Sequence, residues 1–388
     1  MTTPVDADGA ADADRVAVIG AGAVGVTAAR DLAARGADVT LFERDEVASG
    51  ASGRAAGIVY DAFAEDRDAA VAARAVERFR SLDADGAIEF TRCPYLWFAR
   101  AGDDRSAAAI REQVPRMCEH GREVELLDAA AVRERFPALD TDVEVAAVAG
   151  DAGSLDPESY VVAMADRARA VGVDVRTETA VALGEWTEAG VEIAVGPGVE
   201  SFDAVLVAAG AHTKRVLADV DVSIAMKPYR VQALVTDPLG VEVPMTFDAT
   251  ETYYFRPRAG GLLVGDGTEK REVDPDRWDA EADEQFVADS RERVHEALGV
   301  EPGVRRAWAG LCTATPDRDP LVGPVDDTGS VFVATGWQGH GFMRSPALGE
   351  AVAEWMLGAG GGVVEGFDPR RFDGDEAFEV VEGMTLEE

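Results

Sequence analysis

The sequence predicts an α/β fold in which a discontinuous nucleotide-binding unit carries an inserted, strand-rich α+β unit. Three observations predict it. From Arg15 to Glu43 an apolar run, three spaced glycines and a second apolar run ending in an acid follow one another. Apolar stretches that read as buried strands return at 202–210 and 331–336. Between them, residues 226–265 alternate as strands do.

The first pattern is the most specific. Arg15 to Gly25 reads as strand, turn and helix start, and Asp38 to Glu43 as a second strand whose acid lies 18 residues beyond Gly25. Gly20 permits a tight turn, Gly22 lets the backbone approach a pyrophosphate, and Gly25 lets the helix pack closely on the strand. Ala21, Ala23 and Val24 complete the turn, and the helix amino terminus faces the diphosphate. Glu43, followed by Arg44, can accept bonds from ribose hydroxyls. Strand, glycine turn, helix and acid together predict a Rossmann-like dinucleotide site.

After Glu43 comes a loop of small residues, Ala48 to Gly57. Its Ser49, Gly50, Ser52, Ala55, Ala56 and Gly57 suit backbone lying against a flat ring, with hydroxyls in reach of phosphate. Residues 68–81 read as helix, 91–100 as strand, and 128–136 as a short helix ended by Pro137. Asp156 and Pro157 mark a helix start, as N-cap and first helical residue, and that helix runs to about 170. A strand follows at 173–177, then a hairpin-like stretch to the buried strand at 202–210. Strands are expected at 231–236, 253–256 and 261–264, a helix at 279–298, a strand at 331–336 and a helix at 345–357.

Composition excludes several classes. No apolar run approaches the roughly 18 residues of a membrane span. The first 14 residues carry Asp6, Asp8, Asp12 and Asp14, and read as an acidic mobile tail instead of a secretion signal. Three scattered cysteines argue against a disulfide framework, and neither they nor the four histidines have metal-ligand spacing. The net charge is −36, with three lysines against 34 arginines. Acids spread along the chain point to a salt-rich cytoplasm, where screening relieves self-repulsion. Such a surface repels nucleic acid.

The ordered set of motifs resembles the FAD-dependent D-amino acid oxidase superfamily, most closely its glycine oxidase, sarcosine oxidase and dimethylglycine dehydrogenase branch. The matching pieces are the Gly20–Glu43 fingerprint, the 49–57 loop, Gly153 to Pro157 and Val205 to His212. They continue with Tyr254 to Pro257 before Gly260 and Gly261, Trp308 to Gly310 with Thr315 to Asp317, and Gly336 to Phe342. The resemblance implies FAD contacts at Val181, Ala209, Gly210 and Gly310. It also implies them along the turn of Gly336, Trp337, Gln338, Gly339, His340, Gly341 and Phe342. Glycines there let N–H groups approach a ligand, and the helix start favours the negative charge of a reduced flavin. It implies a FAD-binding domain from 15–60, 150–215 and 305–365, with 61–149 and 216–304 as the substrate domain.

For the substrate, Arg54 is expected to face the ring, and Tyr254 and Arg256 to share a strand face where hydroxyl and guanidinium converge. Arg344 is the competing carboxylate anchor, with Tyr60 and Trp97 as further pocket residues. The implied reaction takes hydride equivalents from a neutral amino acid or N-methylated amine to flavin N5, with no obligatory side-chain base. Oxygen or an electron carrier then accepts the electrons. Two rivals stand beside it: oxidation of a 2-hydroxy acid with His212 or His340 as base, and a flavin subunit of a larger dehydrogenase complex. Four positions depart from the sarcosine oxidase pattern, among them Cys312, which falls where a tyrosine is common and reads as a buried small hydrophobe. Gly310 stands where a flavin-bearing cysteine is found, which implies noncovalent FAD, and Leu263 and Met343 replace lysines.

Overall fold

The computed structural model describes residues 15–187, 190–266, 268–325 and 329–381; the tail expected over 1–14 lies outside them. Its helices are α1 (Ala23–Ala34), α2 (Asp66–Ala84), α3 (Asp104–Glu119), α4 (Ala129–Arg135), α5 (Pro157–Ala170), α6 (Thr213–Ala218), α7 (Glu284–Leu298) and α8 (Gly341–Glu354).

Six strands form a sheet in the order Leu321–Pro324, Val331–Thr335, Ala204–Val207, Arg15–Ile19, Asp38–Phe42, Asp174–Arg176. Only the first pairing is antiparallel. The central strands are covered on both faces, which is why they read as unbroken apolar runs. Helices α1, α2, α5 and α8 pack together on one side. The α5 start behaves as expected: Asp156 Oδ2 accepts from the Ser159 N–H at 3.1 Å and Pro157 opens the helix.

A second sheet of eight strands runs Val304–Ala314, Lys227–Thr236, Gly261–Asp266, Tyr253–Arg258, Met245–Asp248, Tyr95–Arg100, Val143–Ala149, Val124–Leu127. Its register places Trp308, Ala233, Gly265, Tyr254, Phe247 and Trp97 in one row across six strands. Because side chains alternate between faces, that row faces one way.

Several sequence boundaries differ from the structure. Strand Val304–Ala314 pairs within the eight-stranded sheet, although 305–365 was expected with the nucleotide unit. Helix α2, expected with the substrate unit, packs on α8. Its Arg78 donates at 2.6 Å to Asp31, a fully buried acid of α1. The 91–100 stretch breaks at Cys93 and Pro94 into Thr91–Arg92 and Tyr95–Arg100. Helix α7 starts at Glu284, not 279. The preceding residues run as a strap, held by buried Arg230, which donates to the carbonyls of Asp279 and Glu281.

Candidate functional site

The glycine turn is built as its spacing requires. Gly20 has φ +110°, and a Cβ there would lie 2.5 Å from the Ala208 carbonyl oxygen. A Cβ at Gly25 would lie 1.9 Å from the Gly20 carbonyl oxygen, so the helix can start this close to the strand only without a side chain. Helix α1 begins after Gly22 with no side-chain cap of its own and no acid in its first turn. The Ser52 hydroxyl accepts from the Ala23 N–H at 3.0 Å. Glu43 accepts from the N–H groups of Ala21 (2.8 Å) and Asp45 (3.0 Å).

A cavity of about 790 Å³ extends from this turn to the underside of the eight-stranded sheet. Its wall brings together Gly20, Ala21, Gly22, Ala23 and Val24 with Glu43 and Arg44. Loop residues Ser49, Gly50, Ser52, Arg54, Ala55, Ala56 and Gly57 join them, as do Val181, Ala209, Gly210 and Gly310. Trp337, Gln338, Gly339, His340, Gly341 and Phe342 close it from the other side, and Tyr60 and Tyr254 also face it.

Five expected site residues lie behind the wall. Gly25 acts through helix packing. Gly336 (φ +77°) ends its strand, where a Cβ would meet Thr315 at 2.6 Å. Arg256 and Tyr254 do share a strand face, but the buried Arg256 guanidinium reaches the loop instead of the cavity. Its Nε donates to the Ala56 carbonyl, and its Nη1 to the Pro257 carbonyl at 3.0 Å and the Ser154 hydroxyl at 3.4 Å. Burial, then the nearby Arg258 charge, lowers its pKa to about 10. Arg344 is also buried, paired with Asp68 at 2.7 Å and 4.6 Å from the Phe63 ring centre. Trp97 is buried behind Phe247 and does not line the cavity.

That leaves Arg54. Its guanidinium carbon lies 5.5 Å from the Trp278 ring centre, and a Cβ at Gly310 would stand 3.6 Å from its own Cβ. Among the described residues no hydrogen bond or ion pair engages this guanidinium. Arg44 and Arg215, the other arginines in the wall, are paired with Asp45 and with Asp274 and Asp276.

Two histidines reach the cavity. His212 shares a hydrogen bond with Asp276 at 3.0 Å, and burial, then Arg44, lowers its pKa. Burial, then the charge of Arg344, pushes His340 down to about 3, so it is neutral near pH 7. Burial raises the Tyr60 phenol to about 12.

Sequence reasoning missed Tyr229, Phe247, Trp278 and Asp276. Phe247 was findable as the cross-strand partner of Tyr254. Trp278 and Asp276 sit in an acid-rich run that reads as plain solvated surface. In the structure that run, 268–283, straps across the cavity: Thr268, Asp276 and Trp278 line it, and Asp276 ties down to Arg215 and His212.

The residues present fit FAD. Two helix amino termini, of α1 and α8, open on one cavity, and neither carries an acid in its first turn. The cavity volume lies high in the range of small-molecule sites, roughly 300–1,000 Å³. Among the described residues no group of three His, Cys, Asp or Glu could hold a metal ion, and no helix is long and apolar enough to cross a membrane.

Comparison with known proteins agrees. The chain is 28% identical over 381 residues to 4-methylaminobutanoate oxidase (formaldehyde-forming) of Paenarthrobacter nicotinovorans, covering 93% of this chain and 46% of that protein, about half its length. It is 26% identical over 365 residues to monomeric sarcosine oxidase of Bacillus sp. (strain B-0618), covering 88% of this chain and 92% of that one. The crystal structure of L-proline dehydrogenase from P. horikoshii superposes with a TM-score of 0.84 at 26% identity, covering 93% and 98% of the two chains. The family model for FAD dependent oxidoreductases (DAO) matches residues 15–355, and the chain belongs to that family.

Proposed function

We propose that this FAD-dependent oxidoreductase oxidises the carbon–nitrogen bond of a small amino acid or N-methylated amine. One observation carries the reading: a single cavity joins the Gly20–Glu43 nucleotide end to an aromatic chamber under Tyr254 and Phe247. In that cavity the turn from Gly20 and Ser52 would hold the diphosphate, Glu43 the ribose hydroxyls, and the N–H groups of 339–342 the electron-rich edge of the ring. Bound FAD supplies the electron sink for the two electrons leaving the C–N bond. The substrate carboxylate goes to Arg54, because Arg256 and Arg344 are committed elsewhere. A planar guanidinium binds a carboxylate with two parallel bonds.

The protein's own part is orientation and desolvation. Exclusion of water and the like charge of Arg54 in the wall disfavour an ammonium, so a bound amine loses its proton more readily than in water. Hydroxyl oxidation would need a base, and the cavity offers a neutral His340 of low basicity and a His212 bonded to Asp276. This favours the amine substrate.

Gly310 in the wall leaves no nucleophile at its own position, and FAD is held noncovalently, with oxygen or an electron carrier as final acceptor. The dispersed charge of −36 suits a salt-rich cytoplasm. The sheet under α1 and α8 serves as the cofactor domain, and the eight-stranded sheet as the substrate domain.

The test is anaerobic bleaching of the flavin absorbance in molar salt by sarcosine, dimethylglycine, glycine, proline, D-amino acids and 2-hydroxy acids. Amines are expected to bleach it. Reduction by hydroxy acids alone would overturn the substrate class, and protein without flavin bands after reconstitution would overturn the cofactor. Acid precipitation is expected to leave the flavin in the supernatant.

A further inference from the structure

We propose that Gly265 is a positioning residue for Tyr254. Its missing side chain gives the phenol room to lie across strand Gly261–Asp266, and so fixes where the hydroxyl stands in the cavity wall. The proposal rests on the reading that the chamber beside Tyr254 takes the amine substrate.

The two residues are direct cross-strand partners. A Cβ at Gly265 would lie 2.0 Å from Tyr254 Cζ, 2.1 Å from its hydroxyl oxygen and 2.5 Å from Cε1. No real contact is that short, so the ring occupies the volume that any other residue would fill. Gly265 does not have a positive φ. Its backbone is therefore open to any residue, and the requirement is for space alone.

The row across the sheet explains the direction in which the ring lies. On one side of Tyr254 stands buried Phe247, and behind it Trp97. On the other side come Gly265 and then Ala233, both small, before the Trp308 indole, whose Nε1–H donates to the Arg54 carbonyl at 3.1 Å. The trough left by the two small residues gives the phenol room to lie across the neighbouring strand. With alanine at 265 the ring must turn, and the open direction is the cavity. The hydroxyl would then move and the chamber shrink, while the glycine turn and Glu43 at the nucleotide end stay as they are.

The test compares G265A, Y254A and the double variant, each reconstituted with FAD in molar salt. Two quantities are read: the visible flavin spectrum, and the concentration dependence of anaerobic flavin reduction by an amine that the wild type accepts. G265A is expected to retain flavin and to raise the half-saturating amine concentration about tenfold. In the Y254A background the same alanine is expected to change it by less than about twofold, because the clash has lost its partner.

A G265A effect that persists in full beside Y254A would overturn the proposal, since Gly265 would then act through its backbone. A Y254A effect with none from G265A would also overturn it and leave the substrate reading standing. If Y254A leaves the amine response unchanged, the chamber reading fails and the proposal falls with it. Should G265A alone fail to fold, the double variant is expected to recover folding and flavin, and failure to recover would overturn the clash.

Discussion

Arg256 holds the carbonyl of Ala56, tying the eight-stranded sheet to the small-residue loop that lines the cavity. Its other acceptors are also neutral, so this buried guanidinium works as a clamp on backbone. R256Q is expected to cost about 1.5–3 kcal/mol, the usual worth of hydrogen bonds to a charged donor. A lower urea midpoint of the holoprotein and weaker FAD retention would show it. Unchanged stability with a loss confined to carboxylate-bearing substrates would instead return Arg256 to the anchor role.

Arg344 and Asp68 form a largely buried pair beside Phe63. D68N leaves the guanidinium without compensation and is expected to destabilise by about 3–5 kcal/mol. The double variant D68L/R344M should recover most of that loss in denaturant titrations. Equal stability of D68N and wild type would mean that the pair is dispensable.

Substituting Arg54 separates substrate classes. R54Q is expected to raise the KM for sarcosine or glycine about ten- to a hundredfold, the loss of roughly 1.5–3 kcal/mol of charged hydrogen bonding. Amines without a carboxylate should show little change. A uniform loss across both classes, accompanied by flavin release, would make Arg54 a cofactor ligand.

His340 links the site to acid stability. Its folded pKa is about 3 against 6.5 in the unfolded chain. On acidification the unfolded chain takes the proton first, so stability falls as pH drops below about 6.5, and the loss stops near 3. Relative to H340Q, the wild type should lose about 1.4 kcal/mol per pH unit inside that window. Parallel pH–stability curves for the two proteins would contradict the assignment. Near neutral pH His340 contributes no titration to the rate profile.

The strap over the cavity is charge-tied. Asp276 faces Arg215, His212 and, at 3.7 Å, Arg44. D276N is expected to speed FAD release after dilution several-fold in 0.1 M salt. The ratio to wild type should shrink in 1 M salt, as the screening length drops from about 10 to 3 Å. A ratio independent of salt would mean that the strap is held by packing.

The nucleotide half was legible because local rules suffice for it. Gly20 and Gly25 are dictated by turn and packing geometry, Asp156 and Pro157 by capping, and the apolar strands by burial on both faces. The eight-stranded half was less legible, because its side chains are placed by long-range register. Nothing local says that Arg256 reaches Ala56 instead of the cavity, or that Arg344 meets Asp68. Trp278 was invisible among acids for the same reason. Alternation put Tyr254 on the right face, but only pairing with Gly265 shows which way its ring lies.

Helix α1 comes early in the chain and α8 late, yet they lie side by side and open on the same cavity. A nascent polypeptide emerging from the ribosome therefore displays one jaw of the vise long before the other has been translated. Flavin capture has to wait for α8, and until then the alanine-rich back of α1 is bare greasy surface that a chaperone or a protease can find.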